Sequence, residues 1–153
     1  MESTRQWEIK SFVQLTTEEL YEIVKSRFEV FVTEQEITCE NDFDDLDKVA
    51  YHIFSREGSR VVAYARMLPK GTVYETPGMG RILVLEQARR RGIAAEMIKR
   101  GIAFITEEWQ ESAITLSAQA YIVPLYRSVG FKEVSDVYEE AGIAHVKMKY
   151  KKA

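Results

Sequence analysis

Apolar and polar residues alternate along Trp7-Glu8-Ile9-Lys10-Ser11-Phe12, and a period of two predicts a first strand. The period then changes. Leu20, Ile23, Val24, Arg27, Phe28 and Phe31 recur at helical spacing, and the stem of Arg27 can lie along that apolar face. Thr16 with Glu19 three residues later forms a capping box, so a helix is predicted to start near Thr17 and to fade near Glu34, whole or broken in two. Residues 49–55 and 60–68 read as two strands joined by a turn containing Glu57-Gly58-Ser59, and residues 78–85 read as a third. Ala94, Met97, Ile98, Gly101, Ile102, Ile105 and Trp109 then fall on one helical face, which predicts a core-packed helix over 93–109.

Alternation returns over 113–118. Pro124 and Gly130 frame a short helix over 124–129 that carries Tyr126, because proline is tolerated in a first turn and glycine commonly follows a last one. Strands over 132–138 and 145–149, with Ala141-Gly142 as the turn between them, close the chain. This order of strands and helices predicts an α/β domain with a mixed central sheet. No repeat, low-complexity tract or linker divides residues 1–153, so one domain is expected.

Composition narrows the function. The 153 residues are 46% apolar and 29% charged, as in an ordinary globular protein, and no apolar run approaches membrane-spanning length. Glu2, Arg5 and Glu8 break up the N-terminus, so no signal peptide is expected. A net charge of −3 argues against general nucleic-acid binding. Cys39 is the only cysteine, which excludes an internal disulfide and suits a reducing cytoplasm. The acidic run 40–47 lacks the central glycine and the distal glutamate of a calcium loop, so no metal site is expected. It reads as a solvated loop or as an acidic lip that attracts a cationic amine.

Against that acidic background, Arg89-Arg90-Arg91-Gly92-Ile93-Ala94 is a local exception. It joins a predicted strand to a predicted helix N-terminus, where amides without intrahelical acceptors and the helix dipole favour phosphate. Gly92 lets a ligand approach the backbone, and the arginines add fork-shaped donors. A solvated basic turn is the plain alternative. Walker and Rossmann glycine patterns are both absent.

The pattern Arg89-x-x-Gly92-x-Ala94 resembles the acyl-CoA signature of the GCN5-related N-acetyltransferases, the GNAT superfamily. The run 27–35, the pair Asp44 and Asp47, Arg81-Ile82, Ala118-Gln119, Leu125-Tyr126 with Gly130-Phe131, and Gly142-Ile143-Ala144-His145 resemble its ElaA-like branch. The branch usually has proline where this chain has Ala144. The resemblance implies a mixed sheet flanked by helices, with splayed strands forming an acyl-CoA cleft. It implies acetyl-CoA as co-substrate, held by the backbone of Ile82, Leu83 and Val84, by the loop from Arg89 through Ala94, and near Gln119. It places Tyr126 against the thioester sulfur. It implies a small-molecule or peptide amine as acceptor and favours a homodimer.

Direct acetyl transfer asks for three things. The amine must lose a proton, since an alkyl amine titrates near ~10.4. The carbonyl oxygen needs a donor, for which the Val84 amide is a candidate. The leaving thiolate benefits from a proton donor, a role that suits Tyr126. His145 has a suitable intrinsic pKa for the base but also reads as a structural histidine. Glu34 is a second candidate, as base or as ammonium ligand, or is a surface carboxylate. His52 reads as a strand residue. Arg81 either holds a substrate carboxylate or pairs with an internal acid. Neither Cys39 nor any serine is placed with a base, so no covalent intermediate is expected. A non-catalytic acyl-CoA-binding module and a nucleotide-binding protein are the alternatives.

Overall fold

The computed structural model describes residues 4–153, so Glu2 of the N-terminal reading lies outside them. The chain runs β1 (Glu8–Ser11), α1 (Thr17–Arg27), β2 (Tyr51–Glu57), β3 (Arg60–Leu68), β4 (Gly78–Val84), α2 (Ile93–Glu107), β5 (Ala113–Gln119), α3 (Val123–Ser128), β6 (Phe131–Glu133), β7 (Tyr138–Glu140) and β8 (Ile143–Lys151). The strands form one mixed sheet in the order β1-β2-β3-β4-β5-β8-β6, with β7 also on β8. All pairs are antiparallel except β4 with β5. No helix among the described residues is long and apolar enough to cross a membrane.

The local rules explain most of these elements. Thr16 accepts from the Glu19 amide while the Glu19 side chain accepts from the Thr16 amide, which completes the capping box of α1. Ile93, Met97, Ile98, Gly101, Ile102 and Ile105 bury one face of α2 against the sheet. Gly101 makes room there for the Met79 side chain, whose terminal methyl would lie 2.7 Å from an added Cβ and would have to move aside. The helix stops at Glu107, so Trp109 packs from the following turn, edge-on to Tyr51 and Phe104.

Three expectations change. The helix after Thr17 does not simply fade. From Phe28 to Glu34 it widens into a π-helix, with the Gln35 amide reaching back to the Val30 carbonyl. The strand expected over 132–138 is two short strands, because the Ser135 hydroxyl accepts from the Lys147 amide and interrupts the ladder. The acidic run is not merely solvated. Asp42 and Asp47 grip the guanidinium of Arg27, which is 1% exposed, and Asp44 and Asp47 grip Arg66. A fully buried charge tolerates no solvated partner, so the loop folds in to meet it.

Candidate active site

The sheet opens where its one parallel pair fails to continue. Gly78 lies opposite Thr115, and the Thr115 amide donates to the Pro77 carbonyl, but β4 and β5 share no further register. A bulge in β4 drives the divergence. Leu83 faces Tyr64 while Gly80 faces Arg66, so β4 carries one residue more than β3 across that step, and Arg81 takes φ 50°. Beyond the bulge the Leu85 amide donates back to the Val62 carbonyl on β3. Successive residues point their backbone groups to opposite edges, so the amide and carbonyl of Val84 face the gap toward β5. The Val84 carbonyl accepts from Arg89 Nε at 2.9 Å.

The loop after β4 turns sharply at Arg90, φ 65°, and at Gly92, φ 73°. Gly92 is the N-cap of α2 and no side chain caps this helix, whose first hydrogen bond runs from the Glu96 amide to the Gly92 carbonyl. A Cβ built on Gly92 meets no atom within 4 Å, so the turn opens onto clear space. The glycine therefore answers a left-handed backbone rather than crowding by the protein. The arginines of the loop differ from one another. Arg89 makes a bidentate pair with Glu34, at 2.7 and 2.8 Å. Arg91 donates to the Gln87 carbonyl and to Glu57, while Arg90 is exposed.

Below the fork lies a cavity of about 420 Å³. Arg81, Ile82, Gln119, Tyr126 and His145 line it, whereas Glu34, Leu83, Val84 and residues 89–94 do not. The Leu83 side chain is in the core. Tyr126 is 5% exposed, its ring edge-on to Phe131, and burial pushes its hydroxyl well above the usual range, so the phenol is held protonated. His145 sits opposite Gln119 across β5 and β8. Its Nδ1 is 2.8 Å from the Ile143 carbonyl, an acceptor only, so Nδ1 carries the proton and Nε2 the lone pair. Gln119 donates to Gln35 at the end of the π-helix, and its own oxygen is buried without a partner. Glu34 and Gln35 thus reach the two walls of the fork from adjacent positions.

Arg81 pairs with Asp42 at 2.8 Å and with Asp44 at 3.5 Å, the internal-acid arrangement of the two left open by sequence. Burial would raise the Asp44 carboxyl, but the Arg66 hydrogen bonds and charge outweigh it and hold it down at about 2. His52 lies elsewhere, its ring nitrogens bonded to Tyr64 Oη and the Asp47 carbonyl. Burial holds its pKa below the ordinary value. Sequence reasoning missed Gln35, Asp42, Ser117 and Glu140 on the lining. Ser117 and Gln119 were within reach of the alternation in β5, which puts both on one face.

Residues 13–152 match the acetyltransferase (GNAT) domain family. A UPF0039 protein of Schizosaccharomyces pombe is 37% identical over 92% of this chain and 93% of its own length. Protein ElaA of Escherichia coli is 33% identical over 94% of each chain. The crystal structure of ElaA superposes with a TM-score of 0.89 over 97% of this chain and 100% of its own. An acyl-CoA N-acyltransferase from Pseudomonas aeruginosa superposes with the same score at 30% identity, over 96% of this chain and 99% of its own. A forked mixed sheet, a glycine turn into an uncapped helix and this depth of similarity lead to one conclusion: the chain belongs to the GNAT acetyltransferase family, in its ElaA-like branch.

Proposed function

We propose that this protein is an acetyl-CoA-dependent N-acetyltransferase that moves an acetyl group to an amine by direct attack. The observation that carries the reading is the splay of β4 from β5, which turns the Val84 backbone groups toward the gap beside an open glycine turn and whose two strands, through Ile82 and Gln119, line the cavity that holds Tyr126 and His145. The residues present fit acetyl-CoA. The amides at Gly92, Ile93 and Ala94 suit a pyrophosphate, and the gap beside Ile82 and Val84 suits an extended amide-bearing arm.

Acetyl-CoA supplies the activated thioester; the chain's own groups do the rest. His145 Nε2 takes a proton from the ammonium, which leaves a lone pair on nitrogen to attack the carbonyl carbon. The Val84 amide donates to the carbonyl oxygen as it gains charge. The carbon–sulfur bond then breaks with its electron pair on sulfur, Tyr126 Oη gives its proton to the departing thiolate, and the phenolate regains one as the acylated nitrogen sheds its second proton to leave a neutral amide. A phenol is protonated at neutral pH in any case, and burial makes this one a weaker acid. The proton therefore crosses fully only while the thiolate is itself desolvated and more basic. His145 returns its proton to water. An exposed free Cys39 suits a reducing compartment, and we place the protein in the cytoplasm.

The test is release of CoA from acetyl-CoA across a panel of amines. Turnover with at least one amine is expected. Binding of acetyl-CoA with no release for any amine would replace the reading with a non-catalytic acyl-CoA module.

A further inference from the structure

We propose that Glu140 is the positioning residue for the proton-accepting histidine: its carboxylate steers His145 Nε2 toward the acceptor side of the cavity and stabilises the imidazolium formed there. The inference rests on the reading of His145 as the base, and its test is chosen to be independent of turnover.

The hairpin of β7 and β8 builds the arrangement. Ala141 and Gly142, at φ 53° and 77°, give the tight turn that suits a two-residue hairpin. This register puts Tyr138 opposite His145 and Glu140 opposite Ile143. Residues two apart share a strand face, so Tyr138 and Glu140 flank the imidazole on the cavity side. The Tyr138 ring stacks on His145 with centroids 6.3 Å apart and planes at 25°. Its hydroxyl bonds Ser117 Oγ, which lies 3.5 Å from Glu140 Oε1. Both neighbours of the imidazole are thus tied to the same serine on β5.

Nδ1 is committed to the Ile143 carbonyl, so the ring meets the acceptor through Nε2 alone. Glu140 Oε2 is 3.6 Å from that atom. A lone pair and a carboxylate do not bond, which leaves Nε2 free to take a proton. Once the amine's N–H bond breaks and an N–H bond forms at Nε2, the contact becomes an ion pair. Among the described residues Glu140 is the one carboxylate within ion-pair distance of His145. Across the cavity Arg66 and Arg81 are matched by Asp42 and Asp44, Tyr126 is neutral, and β5 presents only Ser117 and Gln119. Glu40 completes the charged lining.

The chain has two histidines, so NMR titration resolves them readily. The imidazole C–H resonances would be followed against pH in the wild type, Glu140→Gln and Glu139→Gln. Glu139 lies between the two flanking residues and faces the other way. The His145 midpoint is expected to fall by about half to one pH unit in Glu140→Gln, to hold in Glu139→Gln, and to recover most of the loss in Glu140→Asp. An unmoved midpoint in Glu140→Gln, or equal falls in the two glutamine variants, would overturn the proposal. With acetyl-CoA and an amine that turns over, the acid limb of kcat/KM should move to lower pH by the same amount, with the acetyl-CoA KM within about twofold. A wild type without turnover would sink the acetyltransferase reading, while the titration would still decide the role of Glu140.

Discussion

Tyr126 shows what one buried atom can be asked to do. Burial holds its hydroxyl protonated, and its ring packs on Phe131, so the two contributions can be separated by removing the oxygen alone. Tyr126→Phe is expected to lower kcat by about 10² to 10⁴, the usual range for a lost general acid. The Kd for acetyl-CoA and the melting temperature should scarcely move. Turnover within about twofold of wild type, with chemistry rate-limiting, would end the acid role. At this scale the sequence pointed to geometry where residue identity implied it: the missing Cβ of Gly92 leaves open space before α2, and Tyr126 lies on the short helix between Pro124 and Gly130. The sequence could not show that Arg81 would be claimed by Asp42, since that pair is 39 residues apart and forms only after the acidic loop folds in.

At the scale of elements, the π-helix and the glycine loop act on each other. The wider turn delivers Glu34 onto Arg89, and Arg89 in turn holds the Val84 carbonyl. Both groups belong to the surface assigned to CoA, so this clasp competes with the ligand. Glu34→Gln is expected to tighten CoA binding about twofold to fivefold, as for a half-exposed pair worth up to ~1 kcal/mol, and calorimetry reads it directly. Looser binding would show that Glu34 supports the site instead. CoA is expected to raise the melting temperature of the wild type, and Gly92→Glu should abolish that rise, since it sets a side chain and a negative charge in the open space before α2. Gly92→Ala controls for backbone strain at φ 73°. Local rules reached these elements unevenly. Periodicity located α2 and β3 because both pack on one continuous core. At seven residues the π-helix is too short for its wider turn to show as a period distinct from that of an α-helix, and so left no mark in the pattern.

Across the whole molecule, charge is distributed so that acid should weaken it in a definite window. The folded Asp44 carboxyl sits at about 2, below its ordinary value, and Asp47 is lowered too, because Arg27 and Arg66 outweigh the burial that would raise it. A depressed folded pKa gives stability that is full above the unfolded value near ~3.9 and is lost as pH falls through the folded one. The melting temperature is therefore expected to drop between about pH 4 and pH 2. Asp44→Asn should melt lower at neutral pH and show a shallower fall across that window. Parallel curves would assign the acid sensitivity to other carboxylates.

The three-arginine, three-aspartate knot has a kinetic consequence as well. Residues 35–45 form a stretch without regular structure between α1 and the sheet, the kind of segment that ordinarily opens locally and often. Here opening it would take Asp42 from Arg27 and Asp44 from Arg66, leaving two guanidinium groups in the core to share Asp47 alone, a change that is costly because it leaves buried charge undercompensated. The amide protons of residues 42–48 should then exchange with deuterium more slowly than those of the other irregular segments, so that a loop on one wall of the cavity stays closed on the timescale of the ordered elements around it.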